Sequence, residues 1–355
     1  MLKQKSCLIL RLSSLGDLIL ASSVLEVQSL PVCVDWAVAQ DYSSLLRHHP
    51  RIRQLFEYDR STGLSGWVQF CERIWNQGYD DVYDLHRSLR TRLMRVLFFW
   101  FWFRAFFKRG RLGALREPRV GPRWRTVSKT RGRLWGLFVF KKFWPRAFYP
   151  EPWVSRFVRA VGGSGQEKPN LKHLLSVSAP KLNVEQCGLP ARWVAVMPGS
   201  RWDGKKWPVL YYADLLQKLE LFPVILGTQQ DLASTQLCNE LLARGLPFYS
   251  GVGKWDLVAT AQILSQAPSG YLGGDTGLAH LAEAVGVSAQ VIFGPTTPEM
   301  GFGPWRSGSR ALGLDLGCRP CGKDGRFCYR LIARHQCLGG LRPDEVFRQL
   351  KEGRE

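Results

Sequence analysis

Asp275-Thr276-Gly277 followed by His280 places a carboxylate, a hydroxyl, a bare backbone and an imidazole within two helical turns. A capping side chain at a helix start stands beside unsatisfied N–H groups and the positive end of the helix dipole. Gly277 adds no side chain, so a phosphate can approach those amides closely. His280 lies about one turn further along and faces roughly the same way as Thr276 and Gly277. A capped helix alone is an ordinary structural feature, but the Phe293-Gly294-Pro295-Thr296 turn beyond the next strand makes the stretch far more specific. Two other polar residues suit the same chemistry. Lys205, in the segment PGSRWDGKKWP at 198–208, can reach an anionic ligand at the N-terminus of the following helix, or it is an ordinary exposed lysine. Asp17 is either a helix N-cap or a catalytic carboxylate.

These side chains need elements to hold them. Tyr271-Leu272, the glycine turn at 273–274, a helix over 276–285 stopped by Gly286, and a strand over 289–293 form a βαβ unit of a parallel sheet. It ends a longer series of strands at 193–197, 223–226 and 248–249 and helices at 209–220, 231–244 and 256–266. An earlier series has strands at 7–12, 32–39, 54–58 and 81–85, with helices at 18–30, 42–48 and 67–77. Such alternation predicts an α/β fold of two doubly wound parallel sheets. Ligands bind such sheets at the carboxyl ends of the strands. Asp17 follows the first strand of one series, and Lys205 joins the first strand and helix of the other. The break over 162–192, rich in glycine and proline, separates them. The expected organisation is a domain over 1–165, a linker over 166–192, a domain over 193–340 and a last helix within 341–355.

The chain has 355 residues, of which 45% are hydrophobic, enough for two cores. Its first apolar run is too short for a signal peptide and contains Arg11. The longest, 96–103, is well below the roughly 18 residues of a membrane span. Nine scattered cysteines without a secretory signal read as cytosolic thiols. Cys318, Cys321, Cys328 and Cys337 lack the paired spacing of a zinc site, which favours a reduced structural loop over a zinc knot. The net charge of +20 is concentrated: residues 90–159 hold nineteen Lys and Arg against Glu117 and Glu151, a net +17. Such a patch asks for an anionic partner. The same insert contains VLFFWFWFRAFF at 96–107, apolar on every face, and a second aromatic stretch over 135–153. It is either a buried helix ringed by solvated arginines or a surface that rests on a membrane.

Three separated segments resemble the heptosyltransferases of glycosyltransferase family 9. Arg11-Leu12-Ser13-Ser14-Leu15-Gly16-Asp17 resembles the family's N-terminal motif. Pro198-Gly199-Ser200 with Lys205, Trp207 and Pro208 is similar to its donor motif near the linker. Gly274-Asp275-Thr276-Gly277 with His280, followed by Phe293-Gly294-Pro295-Thr296, is similar to its nucleotide-sugar motif. Cys318, Pro320 and Cys321, and the stretch from Asp84-Leu85 to Arg90, share its character, whereas 93–150 has no close counterpart. The resemblance implies a GT-B architecture, two Rossmann-like domains facing across a cleft, with the acceptor on the first domain and the donor on the second. It implies inverting transfer of a heptose from ADP-heptose to the inner core of lipopolysaccharide.

On that expectation Asp17 is the general base, with Ser14, Gly16, Arg87 and Arg90 on the acceptor side. The donor side comprises Ser200, Lys205, Gln229, Asp275, Thr276, Gly277 and His280. Asp275 caps its helix and orients Lys205, and Trp255 packs against the base or in the core. Gln229 stands where relatives place a ribose-binding glutamate. No D-x-D occurs, so a metal–diphosphate clamp is missing and a metal-independent route without a cofactor is favoured. The expected location is cytoplasmic, peripherally on the inner membrane through 93–150. A nucleic-acid-binding protein would explain the charge but not Asp17, Lys205 and the Asp275–His280 motif. A related transferase with another donor would carry the same motifs, and so would an inactive membrane-associated relative.

Overall fold

The computed structural model describes residues 6–31, 33–116, 121–129, 131–140, 148–177, 188–322, 325–326 and 328–352. Part of the expected linker (178–187), Cys187, and many basic residues of the insert, including Lys141, Lys142 and Arg146, lie outside the described residues. The chain divides into two compact units, Met1–Lys129 with Val154–Pro169, and Thr130–Trp153 with Asn170–Glu355.

The first unit contains β1 (Cys7–Leu10), α1 (Leu15–Ala21), β2 (Val34–Ala39), β3 (Ile52–Tyr58), α2 (Gly63–Trp75), β4 (Asp81–Asp84), α3 (Leu89–Arg116) and β5 (Arg123–Thr126). After α4 (Arg131–Phe140), which belongs to the other unit, α5 (Trp153–Ala160) returns to it. Its sheet runs β3-β2-β1-β4-β5, with every pair parallel. β1 reads Cys-Leu-Ile-Leu and is buried throughout, as a central strand covered on both faces must be. α2 turns Trp67, Phe70, Cys71 and Ile74 inward at helical spacing, onto the core formed with Leu8, Leu10 and Phe56. Burial pushes the Cys7 and Cys71 thiols up to about 12, so both act as small hydrophobes.

Three details differ from the sequence pattern. The helix expected over 18–30 begins at Leu15 and tightens into a 3-10 turn, Ser22–Glu26. The hydroxyls of Ser22 and Ser23 donate to Ile19 O and Leu20 O at 2.7 and 2.8 Å, competing for carbonyls a continuing helix would use. The helix expected over 42–48 is a 3-10 turn, Gln40–Leu45. β5 is an edge strand of sequence Arg-Trp-Arg-Thr inside the basic insert; Arg123 and Arg125 bind Asp81 at 3.0 and 3.7 Å.

The second unit contains β6 (Trp193–Met197), α6 (Val209–Leu219), β7 (Phe222–Ile225), α7 (Leu232–Ala243), β8 (Tyr249–Ser250), α8 (Leu257–Ser265), β9 (Tyr271–Gly274), α9 (Gly277–Ala284), β10 (Ala289–Ile292), β11 (Arg310–Leu312), α10 (Gln336–Gly339) and α11 (Pro343–Glu352). The order is β11-β10-β9-β6-β7-β8, again all parallel. Trp207, Tyr212, Leu215 and Leu216 of α6 and its entry pack on β6 and β7, and Val346 of α11 and Leu341 close the same core. β11 goes beyond the expected strand series. Cys337 is buried, and Cys318, Cys321 and Cys328 are half-buried. Among the described residues no group of three or more His, Cys, Asp or Glu is arranged to hold a metal ion.

Candidate active site

Both sheets have a strand from which the chain winds outward in two directions. In the first unit the switch lies between β1 and β4, in the second between β6 and β9. Loops leaving the carboxyl ends of such neighbours diverge and leave a crevice that suits a ligand. The sequence motifs fall on these loops.

From β1 the chain passes through Arg11 to Ser14, the N-cap of α1, which places Asp17 in the first helical turn. Asp17 is therefore not the N-cap. The Ser14 hydroxyl donates to Asp17 Oδ2 at 3.0 Å, and Arg11 Nη2 lies 2.6 Å from the same oxygen. Arg11 is itself held. Its Nη1 donates to Leu85 O at 2.6 Å, and its guanidinium lies 5.4 Å over the Phe157 ring. Burial pulls Arg11 below its ordinary value and Asp17 draws it back up, so the cation is kept by its counterion. Gly16, between Ser14 and Asp17, is half-buried.

The loop after β4 is shaped by Asp84, whose Oδ1 accepts from the amides of His86 and Arg87 at 3.1 and 2.6 Å. His86 is pushed down to about 4, first by burial and then by the Arg11 charge, with Asp17 opposing. A neutral imidazole thus stands beside the Asp17–Arg11 pair. Arg87 Nη1 donates to Val127 O at 3.1 Å, so its side chain is spent on holding the end of β5. Arg90 lies 5.6 Å over the Tyr58 ring at the end of β3, two strands from β1. Ser14, Gly16 and Asp17 are gathered together, Arg87 is on the adjoining loop, and Arg90 lies to one side.

In the second unit the loop after β6 must pass close to its neighbours. A Cβ on Gly199 would stand 1.8 Å from Asp231 Oδ2, and one on Gly204 would stand 1.9 Å from Gly325 O. This tight path delivers Lys205 Nζ to Asp275 Oδ2 at 2.6 Å, with both side chains 12% exposed. The same Asp275 oxygen accepts from Thr296 Oγ1 at 2.8 Å. Asp275 precedes the helix cap rather than filling it, because Thr276 occupies the N-cap of α9. Thr276 makes no side-chain cap bond; its hydroxyl lies 3.3 Å from Tyr271 OH. The first amides of α9, beginning at half-buried Gly277, therefore have no side-chain cap from Thr276. An oriented ammonium, a hydroxyl and a helix N-terminus together suit a diphosphate.

His280 is buried one turn into α9, and its Nδ1 is 3.8 Å from Glu283 Oε2, too long for a hydrogen bond. Glu283 accepts from the amides of Trp305 and Arg306, both at 2.8 Å, and so ties down the following loop. Ser200 Oγ accepts from the Trp202 amide at 3.4 Å, which shapes its own loop. Gln229 is exposed beyond the end of β7, against Gly253, where a Cβ would meet its Cγ at 2.3 Å. Trp255 stacks on Tyr249, with ring centroids 5.9 Å apart.

Glu283 and Arg319 have no sequence signal for their roles, and Arg11 and Thr296, though part of the motifs, have none for their contacts to Asp17 and Asp275. Arg319 donates to Phe293 O and Thr296 O at 3.0 Å each, to Gly294 O at 2.5 Å, and to Leu314 O. This clamp fixes the turn from which Thr296 reaches Asp275. Thr297, Glu299 and Arg319 also line a cavity of about 780 Å³ with Tyr149 and Asp315, within the range of small-molecule sites.

Comparison with known proteins points one way. The family model of glycosyltransferase family 9 (heptosyltransferase) matches residues 131–328, more than half of the chain. Lipopolysaccharide heptosyltransferase 1 of Pseudomonas aeruginosa is 24% identical over 335 residues, covering 88% of this chain and 85% of that one. The solved ADP-heptose lipopolysaccharide heptosyltransferase II of E. coli superposes with a TM-score of 0.66 at 19% identity, over 98% of each chain. The E. coli heptosyltransferase WaaC, solved with ADP-2-deoxy-2-fluoro heptose, gives 0.62 at 17% identity, over 98% of this chain and 99% of that one. Likeness over both units identifies the fold as GT-B. With its two parallel sheets and the motifs at their switch points, the chain belongs to glycosyltransferase family 9, the heptosyltransferases.

Proposed function

We propose that the protein transfers a heptose from ADP-heptose to the inner core of lipopolysaccharide, with inversion and without a metal ion. The observation that carries this reading is the Lys205–Asp275–Thr296 network beside the N-terminus of α9, which Thr276 leaves without a side-chain cap. As the sugar leaves ADP, negative charge develops on the departing diphosphate. An oriented ammonium and the amides of α9 stabilise that charge, the task a divalent ion performs elsewhere. Asp17 accepts the proton of the acceptor hydroxyl as its oxygen bonds to the anomeric carbon on the face opposite the breaking bond to ADP. Single displacement of this kind inverts the anomeric centre. Arg11 and Ser14 hold the Asp17 carboxylate in one orientation during the transfer. The names of its relatives support the donor and acceptor, namely lipopolysaccharide for the P. aeruginosa protein and ADP-heptose for an E. coli structure. A lipid-borne acceptor places the work in the cytoplasm at the inner membrane.

The exposed amide of Gln229 supports a second reading, the same reaction with another nucleotide sugar. Purified protein tests both. Calorimetry in excess EDTA should show ADP-heptose binding, with UDP- and GDP-sugars much weaker, and NMR of the product should show an inverted anomeric linkage. Rescue of an EDTA-silent sample by a divalent ion, or retention at the anomeric carbon, would overturn the mechanism. Preference for a different nucleotide would establish the second reading.

A further inference from the structure

We propose that the outward face of α3 seats this protein on the surface of an anionic lipid bilayer. The inference rests on the reading of a lipid-borne acceptor and names the surface that meets its membrane. α3 divides along its length. Met94, Phe98 and Phe101 are buried in the first unit's core, where Phe98 makes edge contacts with Trp75 and Trp124 at 5.3 and 5.6 Å. Val96, Phe99, Trp100, Phe103 and Phe107 are between 47 and 66% exposed. At 3.6 residues per turn these five fall within an arc of about 100°, opposite the core positions. A soluble surface seldom gathers four large aromatic side chains on one helix stripe without a task for them.

The setting of the stripe selects its occupant. Arg92 and Arg104 are exposed, Arg92 within the arc one turn before Val96 and Arg104 beside its edge, and the Arg104 guanidinium lies 5.5 Å over the Trp100 ring. α3 itself carries eight Lys and Arg and no acidic residue. A second copy of the chain would bring the same charge against it, and the two would repel. An anionic bilayer instead takes aromatic rings at the head-group level and neutralises the arginines beside them. Among the described residues no helix is long and apolar enough to cross a membrane, so α3 lies on the surface.

The test is co-sedimentation of the full chain with vesicles of phosphatidylglycerol and phosphatidylcholine, with pure phosphatidylcholine as control, at low and high salt. The wild type should bind anionic vesicles at low salt, and a weaker part should survive high salt. Joint replacement Phe99→Ser, Trp100→Ser and Phe103→Ser should lower the salt-resistant part by about tenfold or more. Arg92→Gln and Arg104→Gln should each lower low-salt binding by about fivefold. Transfer to a deacylated, water-soluble acceptor should be unchanged in every variant, whereas transfer to acceptor in vesicles should fall with binding. The proposal is overturned by a wild type that ignores anionic vesicles, or by a triple variant that binds like wild type. A triple variant that melts earlier, loses soluble transfer or changes oligomeric state would assign the face to the core, the site or a second copy instead. If the wild type binds vesicles but transfers nothing to the soluble acceptor, the function reading fails while this one stands.

Discussion

Lys205→Ala separates what the Lys205–Asp275 pair does for the fold from what it does for the reaction. The pair is short, 2.6 Å, and both side chains are 12% exposed. Removing one partner of a fully buried pair costs about 3–5 kcal/mol, because the other charge is left uncompensated. Here neither side chain is fully buried and Thr296 still donates to Asp275, so a loss of about 2 kcal/mol is expected. The reaction should suffer more. A preorganised cation aimed at the charge developing on ADP is worth about 3–4 kcal/mol, or about 10²–10³-fold in kcat/KM. The double variant Lys205→Ala with Asp275→Ala removes both charges. It should regain much of the lost stability in urea unfolding, yet release ADP from the donor no faster than the single variant. Recovery of activity in the double variant, or a single variant within a few-fold of wild type, would refute the role of Lys205.

Asp17→Asn keeps the side-chain size and its Ser14 contact but cannot take a proton and leaves buried Arg11 without its counterion, so some stability should be lost and turnover of the folded protein should fall about 10²–10⁴-fold with donor affinity intact; activity within a few-fold of wild type would remove Asp17 from the role of base. His86, at about 4 in the fold against an ordinary 6.5, should make the protein acid-sensitive. Above pH 6.5 the imidazole is neutral folded and unfolded, and its contribution is fully present. As pH falls towards 4 the unfolded chain takes up the proton first, and stability should drop by about 2–3 kcal/mol. Urea unfolding of wild type and His86→Gln at pH 7 and pH 4.5 checks this, and equal losses in the two proteins would contradict it.

Much of the fold was legible because fully buried parallel strands read as short apolar runs, as in Trp193–Met197 and Ala289–Ile292. β5 escaped for the converse reason: an edge strand reading Arg-Trp-Arg-Thr has no apolar run, and its arginines answer Asp81 rather than a core. The Lys205–Asp275–Thr296 network was half legible. Lys205 and Asp275 stand out by motif, but Thr296 joins them only because Arg319 gathers four carbonyls around its turn, a three-dimensional fact with no local pattern. Asp17 and Arg11 stood out together in one motif, but their contact did not, since it depends on where α1 begins and on Leu85 just beyond β4. The aromatic run at 96–107 posed buried helix against membrane surface; one face of α3 is in the core and the other is exposed.

The most direct test of the central claim supplies purified protein with ADP-heptose and a lipid A–Kdo or core-heptose acceptor, and follows the acceptor by mass spectrometry. One added heptose and an equal amount of released ADP are expected for the wild type, and neither for Lys205→Ala. An acceptor unchanged in mass with ADP-heptose, but extended with a different nucleotide sugar, would contradict the account.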